Sequence, residues 1–560
     1  MARELNRRRF LKEGATAALG LAVLPGTVWS QPSFDLIIRG ATLVDGTGGP
    51  PFRADLGLVG DGIAAVGAID PEQGRRVLDA TGLFVSPGFI DIHTHSDGDI
   101  LEFPTADSRV RQGITTEVTG NCGGSAAPAF SRTGDAASAQ EERTDAEERR
   151  WTDVASYFRV LESTGISLNH ALLVGQGTIR ETVAGEEDRT LTQEEMGRVL
   201  SILEEALDQG AIGLSTGLEY VPGRFTPTEE IVAMARLVSR RGGLYASHVR
   251  NEETMLLEAV DEAIRIGRES GARVQVSHLK AAGTPNWGKQ VAALDLIEGA
   301  RVSGVDVLAD AYPYTAYSTG LTIFMPAWAM DGGWDALARR LDDPQERARI
   351  RTELIRRVRQ EPGDYDLIMV NRVRTEAGQS MVGKNLAEIA TARGVEPVDA
   401  LLEILMEEEG SVGYIGHAMS PENVEMVLSH PLVMVGSDGY SMAPVGEAAR
   451  SRPHPRSYGT CPRVLGHYCR ERGIFDLPTA VKKMTSMPAD QVGIPDRGRI
   501  ARGKKADLVV FDPETVRDEA TFEAPHRFPL GIEHVLVNGQ VVVSGGEHTG
   551  ARPGTVIRRV

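Results

Sequence analysis

From Gly88 onward the chain repeats one pattern of polarity: a short apolar run, a turn-forming or ligand-type residue, then a longer stretch with apolar residues at helical spacing. The runs are Gly88 to His95, Thr115 to Asn121, Ala171 to Gly175, Ile212 to Thr216, Leu244 to His248, Val274 to His278, Val305 to Asp310 and Val433 to Asp438. Intervening segments such as Glu194 to Gln209 and Thr228 to Arg240 set apolar residues on one helical face and charged residues on the other. Buried strands alternating with amphipathic helices predict a parallel α/β sheet, and eight such strands are enough to close a (β/α)8 TIM-like barrel.

The rhythm breaks at three places. Between the seventh and eighth runs, residues 317–411 include charged helical stretches such as Asp342 to Gln360 and predict an inserted subdomain, since a structureless loop that long is unusual. Ala136 to Arg150 is acidic and predicts a solvated helix after the second strand. At the chain ends the period changes to that of short strands: Asp35 to Arg39, Ala41 to Asp45, Asp55 to Val59 and Ile63 to Gly67 at one end; Asp507 to Phe511, Ile532 to Val537 and Gln540 to Ser544 at the other. Asn538-Gly539 marks a hairpin turn. Two terminal β blocks predict one small β-sandwich made from both ends. The expected division is a leader at 1–30, sandwich at 31–86, barrel at 87–490 with its insertion after strand seven, and sandwich again at 491–560.

Composition narrows this picture only a little. A chain of 560 residues is too long for one ordinary domain, and 41% apolar with 25% charged residues marks a globular protein. The net charge of −18 argues against nucleic acid or an anionic membrane surface as partner. No apolar run after the leader is long enough for stable membrane insertion. Three cysteines cannot all pair; Cys461 and Cys469 either pair or stay free.

The first thirty residues resemble a twin-arginine export signal. Arg7-Arg8-Arg9-Phe10-Leu11-Lys12 precedes the weakly apolar Ala15 to Leu24, and small residues surround a cleavage point near Ser30. The resemblance implies passage through the twin-arginine export machinery to the periplasm or the medium.

The strand ends carry the candidate chemistry. Strand one ends in His93 and His95, spaced so that both imidazoles face the same way; strand two runs into Cys122; strands five, six and eight end in His248, His278 and Asp438. A barrel opens all eight carboxyl ends on one face, so six metal-ligand groups meet there. Singly, each histidine is as easily a core residue. As a set they predict a metal site.

Pro87 to His95, Thr115-Thr116 with Gly120-Asn121-Cys122-Gly123-Gly124, Ala246 to Glu252, Val276 to Lys280, and Gly436 to Gly439 with His454-Pro455-Arg456 are similar to the N-acyl-D-amino-acid deacylases of the amidohydrolase superfamily. The resemblance covers the mature chain in order. It implies a zinc held tightly by Cys122, His248 and His278, and a second, weaker position formed by His93, His95 and Asp438. Strand four, Gly213 to Leu218, lacks the metal-bridging lysine of other superfamily members, and Cys122 takes that role. Lys280 and Arg456 are expected to clamp a substrate carboxylate, Arg456 through a bidentate fork. Tyr220, Tyr312 and Ser318 are implied as further contacts to the bound amino acid. His417, in the returning part of the insertion, reads as structural.

The expected reaction is hydrolysis of the amide of an N-acyl-D-amino acid, with Asp438 taking a proton from the attacking water and passing it to the departing amine. The alternatives are hydrolysis of a cyclic amide, dipeptide or lactone on the same scaffold, and a non-catalytic binding protein. The sequence leaves oligomeric state, acyl preference and side-chain preference open.

Overall fold

The computed structural model describes residues 33–129, 151–446 and 448–559; the expected leader and the acidic stretch Ala136 to Arg150 lie outside them. All eight expected barrel strands are present, as Phe89–Asp91, Ile114–Thr119, Asn169–Gly175, Gly213–Gly217, Leu244–His248, Arg273–Val276, Val307–Ala311 and Val433–Val435. They form one sheet in chain order with parallel neighbours throughout. Inward side chains such as Ile90, Val118, Ala171, Ile212, Ala246 and Met434 fill the barrel, while a larger apolar layer packs the helices outside it.

The first and last strands meet just beyond their ends, through a parallel bridge between Thr94 and Gly439. Asp438 N donates to His93 O at 2.7 Å, and His95 N to Gly439 O at 2.9 Å. Beneath this seam, Asp91 Oδ1 accepts from Ser437 N at 2.9 Å, and its other oxygen is paired with Arg109. Arg109 also donates to Ser437 Oγ at 2.9 Å. Both members of the ion pair are buried. A buried carboxylate is tolerable only with its charge met and its lone pairs used, and here one carboxylate staples both strands.

Strands one, six and eight are shorter than their apolar runs suggest. The runs extend to His95, His278 and Asp438, whereas the strands stop at Asp91, Val276 and Val435. His278 and Asp438 have left-handed backbones, with φ of +35° and +54°, which no strand accommodates.

The stretch Val85 to His95 serves two bodies. Phe84–Pro87 belongs to a seven-stranded sheet, pairing with Leu508–Phe511 from the far end of the chain, and Phe89–Asp91 begins the barrel. At the break, a Cβ on Gly88 would lie 2.1 Å from Thr115 Oγ1, so only glycine passes. A four-stranded sheet of N-terminal strands completes the sandwich. Leu36, Ile38, Leu56 and Val85 share one core with Leu508, Val510 and Leu536. Asn538 and Gly539 both have positive φ, as the expected hairpin turn requires.

The insertion forms a lid with a three-stranded antiparallel sheet, ordered Tyr317–Gly320, Gly413–Gly416, Ile368–Arg372. Its longest helix, Pro344–Gln360, starts where Asp343 accepts from Gln345 N and Glu346 N, with proline in the first turn. Ile350, Leu354 and Val358, four apart, form its buried stripe. An excursion between Leu508–Phe511 and Ile532–Val537, absent from the sequence-based expectation, reaches back to the barrel rim, where Phe522 packs edge-to-face against His454 and His417. Cys122, Cys461 and Cys469 are all free. Among the described residues no helix is long and apolar enough to cross a membrane.

Arg109→Ala strands the Asp91 charge inside the seam and is expected to cost about 3–5 kcal/mol. Denaturant unfolding measures it; a loss below about 1 kcal/mol would mean that backbone pairing alone holds the seam.

Candidate metal centre and active site

Three imidazoles at the carboxyl end of the barrel share one arrangement, a buried carboxylate on the nitrogen that faces away from the centre. His93 Nδ1 lies 3.2 Å from Asp310 Oδ1, His248 Nε2 lies 3.2 Å from Glu219 Oε2, and His278 Nδ1 lies 2.9 Å from Glu252 Oε1. A neutral imidazole carries one proton, so a carboxylate on one nitrogen leaves a lone pair on the other. Those lone pairs point inward. His93 Nε2 is 3.4 Å and His278 Nε2 is 3.5 Å from Cys122 Sγ, and His248 Nδ1 is 2.8 Å from His278 Nε2. Lone pairs this close repel one another unless a cation stands among them. Three nitrogens and a sulfur arranged in this way fit a metal ion.

A second group adjoins the first. His95 Nε2 and His93 Nε2 lie 2.9 and 3.5 Å from Asp438 Oδ1. His93, His95 and Asp438 thus come together as expected. The structure also groups His93 with Cys122 and His278, so one imidazole faces both positions. His248 falls in a third group, with Glu252 and His278.

The backbone is bent to make this possible. Cys122, His278 and Asp438 all have positive φ, of +52°, +35° and +54°, each costing about 1–3 kcal/mol that the surrounding packing must over-determine. The Cys122 loop crosses the end of strand four so tightly that a Cβ on Gly217 would lie 2.0 Å from Cys122 O. The thiol loop therefore occupies the space that any side chain at this strand end would need.

Charge within the site follows from the same contacts. Burial opposes a charge on His93, yet Asp310, Cys122 and Asp438 raise its pKa to about 10. His248 is likewise raised to about 10, against burial, by Glu252, Cys122 and Glu219. Burial works against the Cys122 thiolate and the Asp438 carboxylate as well. The neighbouring imidazoles bring Cys122 well below an ordinary thiol, and Arg456 with His93 brings Asp438 well below an ordinary carboxyl. The pocket therefore holds two anions and demands cations, supplied as protons on the imidazoles or, in their place, as a metal ion on the freed lone pairs.

Lys280 and Arg456 both line this pocket, in different circumstances. Lys280 Nζ donates to Glu252 Oε1 at 2.6 Å and to His278 O at 3.2 Å, which ties it to the carboxylate that supports the His278 imidazole. Arg456 Nη1 sits 2.7 Å from Asp438 Oδ2 as an ion pair, and Nη2 donates to Ser318 O at 3.1 Å. Apart from that ion pair, its buried Nε and Nη1 meet no hydrogen-bond acceptor. Neither does the buried hydroxyl of Tyr312, whose ring lies 4.9 Å from the guanidinium carbon. Tyr220 meets the lid and Ser318 is part of it: Tyr220 OH is 3.0 Å from Thr319 Oγ1, and Ser318 Oγ accepts from Asn371 Nδ2 at 2.9 Å. His417 packs edge-on against Phe522 and, among the described residues, joins none of the ligand groups.

Sequence reasoning missed Asp310, Glu219 and Glu252 as supports. A signal existed: Asp310 ends an apolar run, and Glu219 follows strand four by two residues. Acidic residues that close buried strands are rarely there for solubility.

Residues 76–543 match the model described as "Amidohydrolase family". The chain belongs to the amidohydrolase family. It is 38% identical over 532 residues, 95% of this chain and 98% of the relative, to D-aminoacylase of Alcaligenes xylosoxydans xylosoxydans. It is 39% identical to N-acyl-D-glutamate deacylase of the same organism, covering 94% of this chain and 97% of that one. A crystal structure of N-acyl-D-glutamate deacylase from Bordetella bronchiseptica, complexed with zinc and a phosphonate mimic of the tetrahedral intermediate, superimposes with a TM-score of 0.80. That protein is 36% identical to this chain, with 94% of this chain and all of that one covered. This amidohydrolase is metal-dependent.

Asp310→Ala removes the acceptor that orients His93 and is expected to weaken metal binding about 10- to 100-fold. Chelator competition on the purified protein reads this directly; unchanged affinity would show that His93 is held by packing alone.

Proposed function

We propose that this amidohydrolase cleaves the amide bond of N-acyl-D-amino acids, releasing a carboxylate and a free D-amino acid, with zinc as its metal. One observation carries the substrate class: beside Asp438, the buried Arg456 and Tyr312 present hydrogen-bond donors without acceptors. Unmet buried donors beside a fixed positive charge are complementary to a carboxylate, which a guanidinium binds through its planar fork. A cyclic amide or lactone without a free carboxylate leaves them unmet. The D configuration and the acyl amide are supported by the relatives' activities, and zinc by the sulfur and nitrogen donors and by the zinc-bound neighbour.

His93, His95, Cys122, His248, His278 and Asp438 are the residues that hold the metal in this reading. Once bound there, zinc supplies Lewis acidity toward the scissile carbonyl and lowers the pKa of water. The protein's own groups manage position and protons. Arg456 and Tyr312 fix the α-carboxylate and Lys280 adds charge from its place on Glu252, while Tyr220 from the barrel and Ser318 from the lid close the wall. Asp438, kept ionised with Arg456 on one oxygen and His95 on the other, accepts the proton of the attacking water and returns it to the leaving nitrogen. The arginine that anchors the substrate also keeps the general base in its reactive state.

The amino-terminal Arg7-Arg8-Arg9-Phe10-Leu11-Lys12 supports export of the enzyme to the periplasm or medium by the twin-arginine route. Replacing Arg7 and Arg8 by lysine is expected to retain the enzyme in the cytoplasm on cell fractionation; normal export of that variant would refute the route.

Paired N-acetyl-D- and N-acetyl-L-amino acids, assayed with zinc-loaded and chelated enzyme, test the reaction: only the D series with metal is expected to release amine. Asp438→Asn should lower kcat by about 10²- to 10⁴-fold. Arg456→Lys keeps a charge beside Asp438 but loses the fork, worth about 1.5–3 kcal/mol, and should raise KM by about one to two orders of magnitude. Equal turnover of substrates with and without an α-carboxylate would sink the clamp.

A further inference from the structure

Glu219 has two oxygens with different tasks. Oε2 holds the outer nitrogen of His248 at 3.2 Å, while Oε1 faces the guanidinium of Arg357, 3.7 Å away on the lid helix Pro344–Gln360. The same guanidinium nitrogen lies 3.6 Å from Glu253 Oε1 on the loop after strand five. Glu219 and Glu253 are each about 5% exposed or less, at 5% and 4%. Glu361, the residue that ends the lid helix, is buried beside them. Several carboxylates thus crowd one patch of the barrel rim, and the insertion supplies a cation to it. Arg224, on the loop after strand four, crosses the same gap in the other direction to donate to Met325 O of the lid at 3.1 Å.

We propose that Arg357 is a positioning residue that couples the seating of the lid to the metal centre by way of Glu219 and His248. The inference rests on His248 being a metal ligand. The argument is electrostatic and geometric. Glu219 accepts from His248 most strongly as a carboxylate, and a carboxylate at this burial is stabilised by a cation beside it. When the lid is seated, Arg357 provides it, and Glu219 fixes the ring so that the opposite nitrogen faces Cys122 and His278. When the lid lifts, that countercharge leaves, Glu219 and Glu253 keep only the more distant Arg224 of the strand-four loop as a cation, and the hold on His248 weakens. The linkage runs equally in the other direction: metal on His248 fixes Glu219 and so favours the seated lid, because a coupling free energy between two sites is reciprocal. The insertion is then a part of the metal site as well as a cover for the substrate.

Metal affinity, measured by chelator competition at fixed pH, tests this without reference to turnover. Arg357→Gln is expected to weaken binding about 10- to 100-fold, the range for loss of a group supporting a metal ligand, with Arg357→Lys between it and the parent. Arg359→Gln, at an exposed position of the same helix, serves as the control. Glu219→Gln should weaken binding similarly, and the double variant should be no weaker than the worse single. In the parent, adding metal should slow amide exchange across residues 344–360. Equal affinity in Arg357→Gln and Arg359→Gln, or additive losses in the double variant, would overturn the coupling. If His248→Asn itself retains the parent affinity, the metal assignment of that residue falls first and the coupling with it.

Discussion

Everything at the mouth of this barrel depends on one buried ion pair, Asp91 with Arg109. Strands one and eight are the ends of an otherwise continuous ladder, and the residues that matter lie just past both of them: His93 and His95 on one side, Asp438 on the other. Backbone bonds between His93, His95, Asp438 and Gly439 close the seam. Asp91 fixes its register by bonding Ser437 N while neutralised by Arg109. A slip of one residue there would exchange side chains pointing into the mouth for side chains pointing away.

The fold was legible because each barrel strand is an apolar run, buried on both faces, that stops at a residue of different character. The gathering of imidazoles, thiol and carboxylate at the mouth was legible for the same reason, since the residue that stops a run is often one of them. What the sequence hid is how the runs end. His278 and Asp438 look like the last residues of strands and are in fact the first residues of tight turns, a distinction carried by φ and not by hydrophobicity. The supporting carboxylates were hidden more deeply. Nothing local tells Glu252, bonded to His278 and Lys280, from Glu258 on the helix that follows it; only the folded barrel brings Glu252 beneath an imidazole. Lys280 is the counterpart case. As a lone cation after a ligand it reads as a free clamp, and the structure shows its charge committed to Glu252. Phe522 lies in a segment whose sequence carries no strand or helix pattern, so its reach to His454 could not be foreseen.

The site is built in layers of alternating sign. Imidazoles and a thiolate form the centre, carboxylates stand behind the imidazoles, and Lys280, Arg357 and Arg456 stand behind or beside the carboxylates. Each layer satisfies the one within it, and the outermost cations come from separate parts of the chain: a barrel loop, the lid and the segment after strand eight. Precision in such a site comes from the supporting layers. The strained backbones at Cys122, His278 and Asp438 are affordable only because these layers hold them.

The pairing of Val85 with Val510 has a consequence for biogenesis. The strand that introduces the barrel finishes its own sheet with a segment near the other end of the polypeptide. While the ribosome is still making the barrel, that sheet has an open edge, and the chain leading to His93 is anchored on one side only. Completion must wait for release of the carboxyl terminus, so the last step of folding is a long-range closure of the slow kind. A protein assembled in this order carries the open edge of Phe84–Pro87 until its last strands arrive, and is most exposed to wrong pairing in that interval.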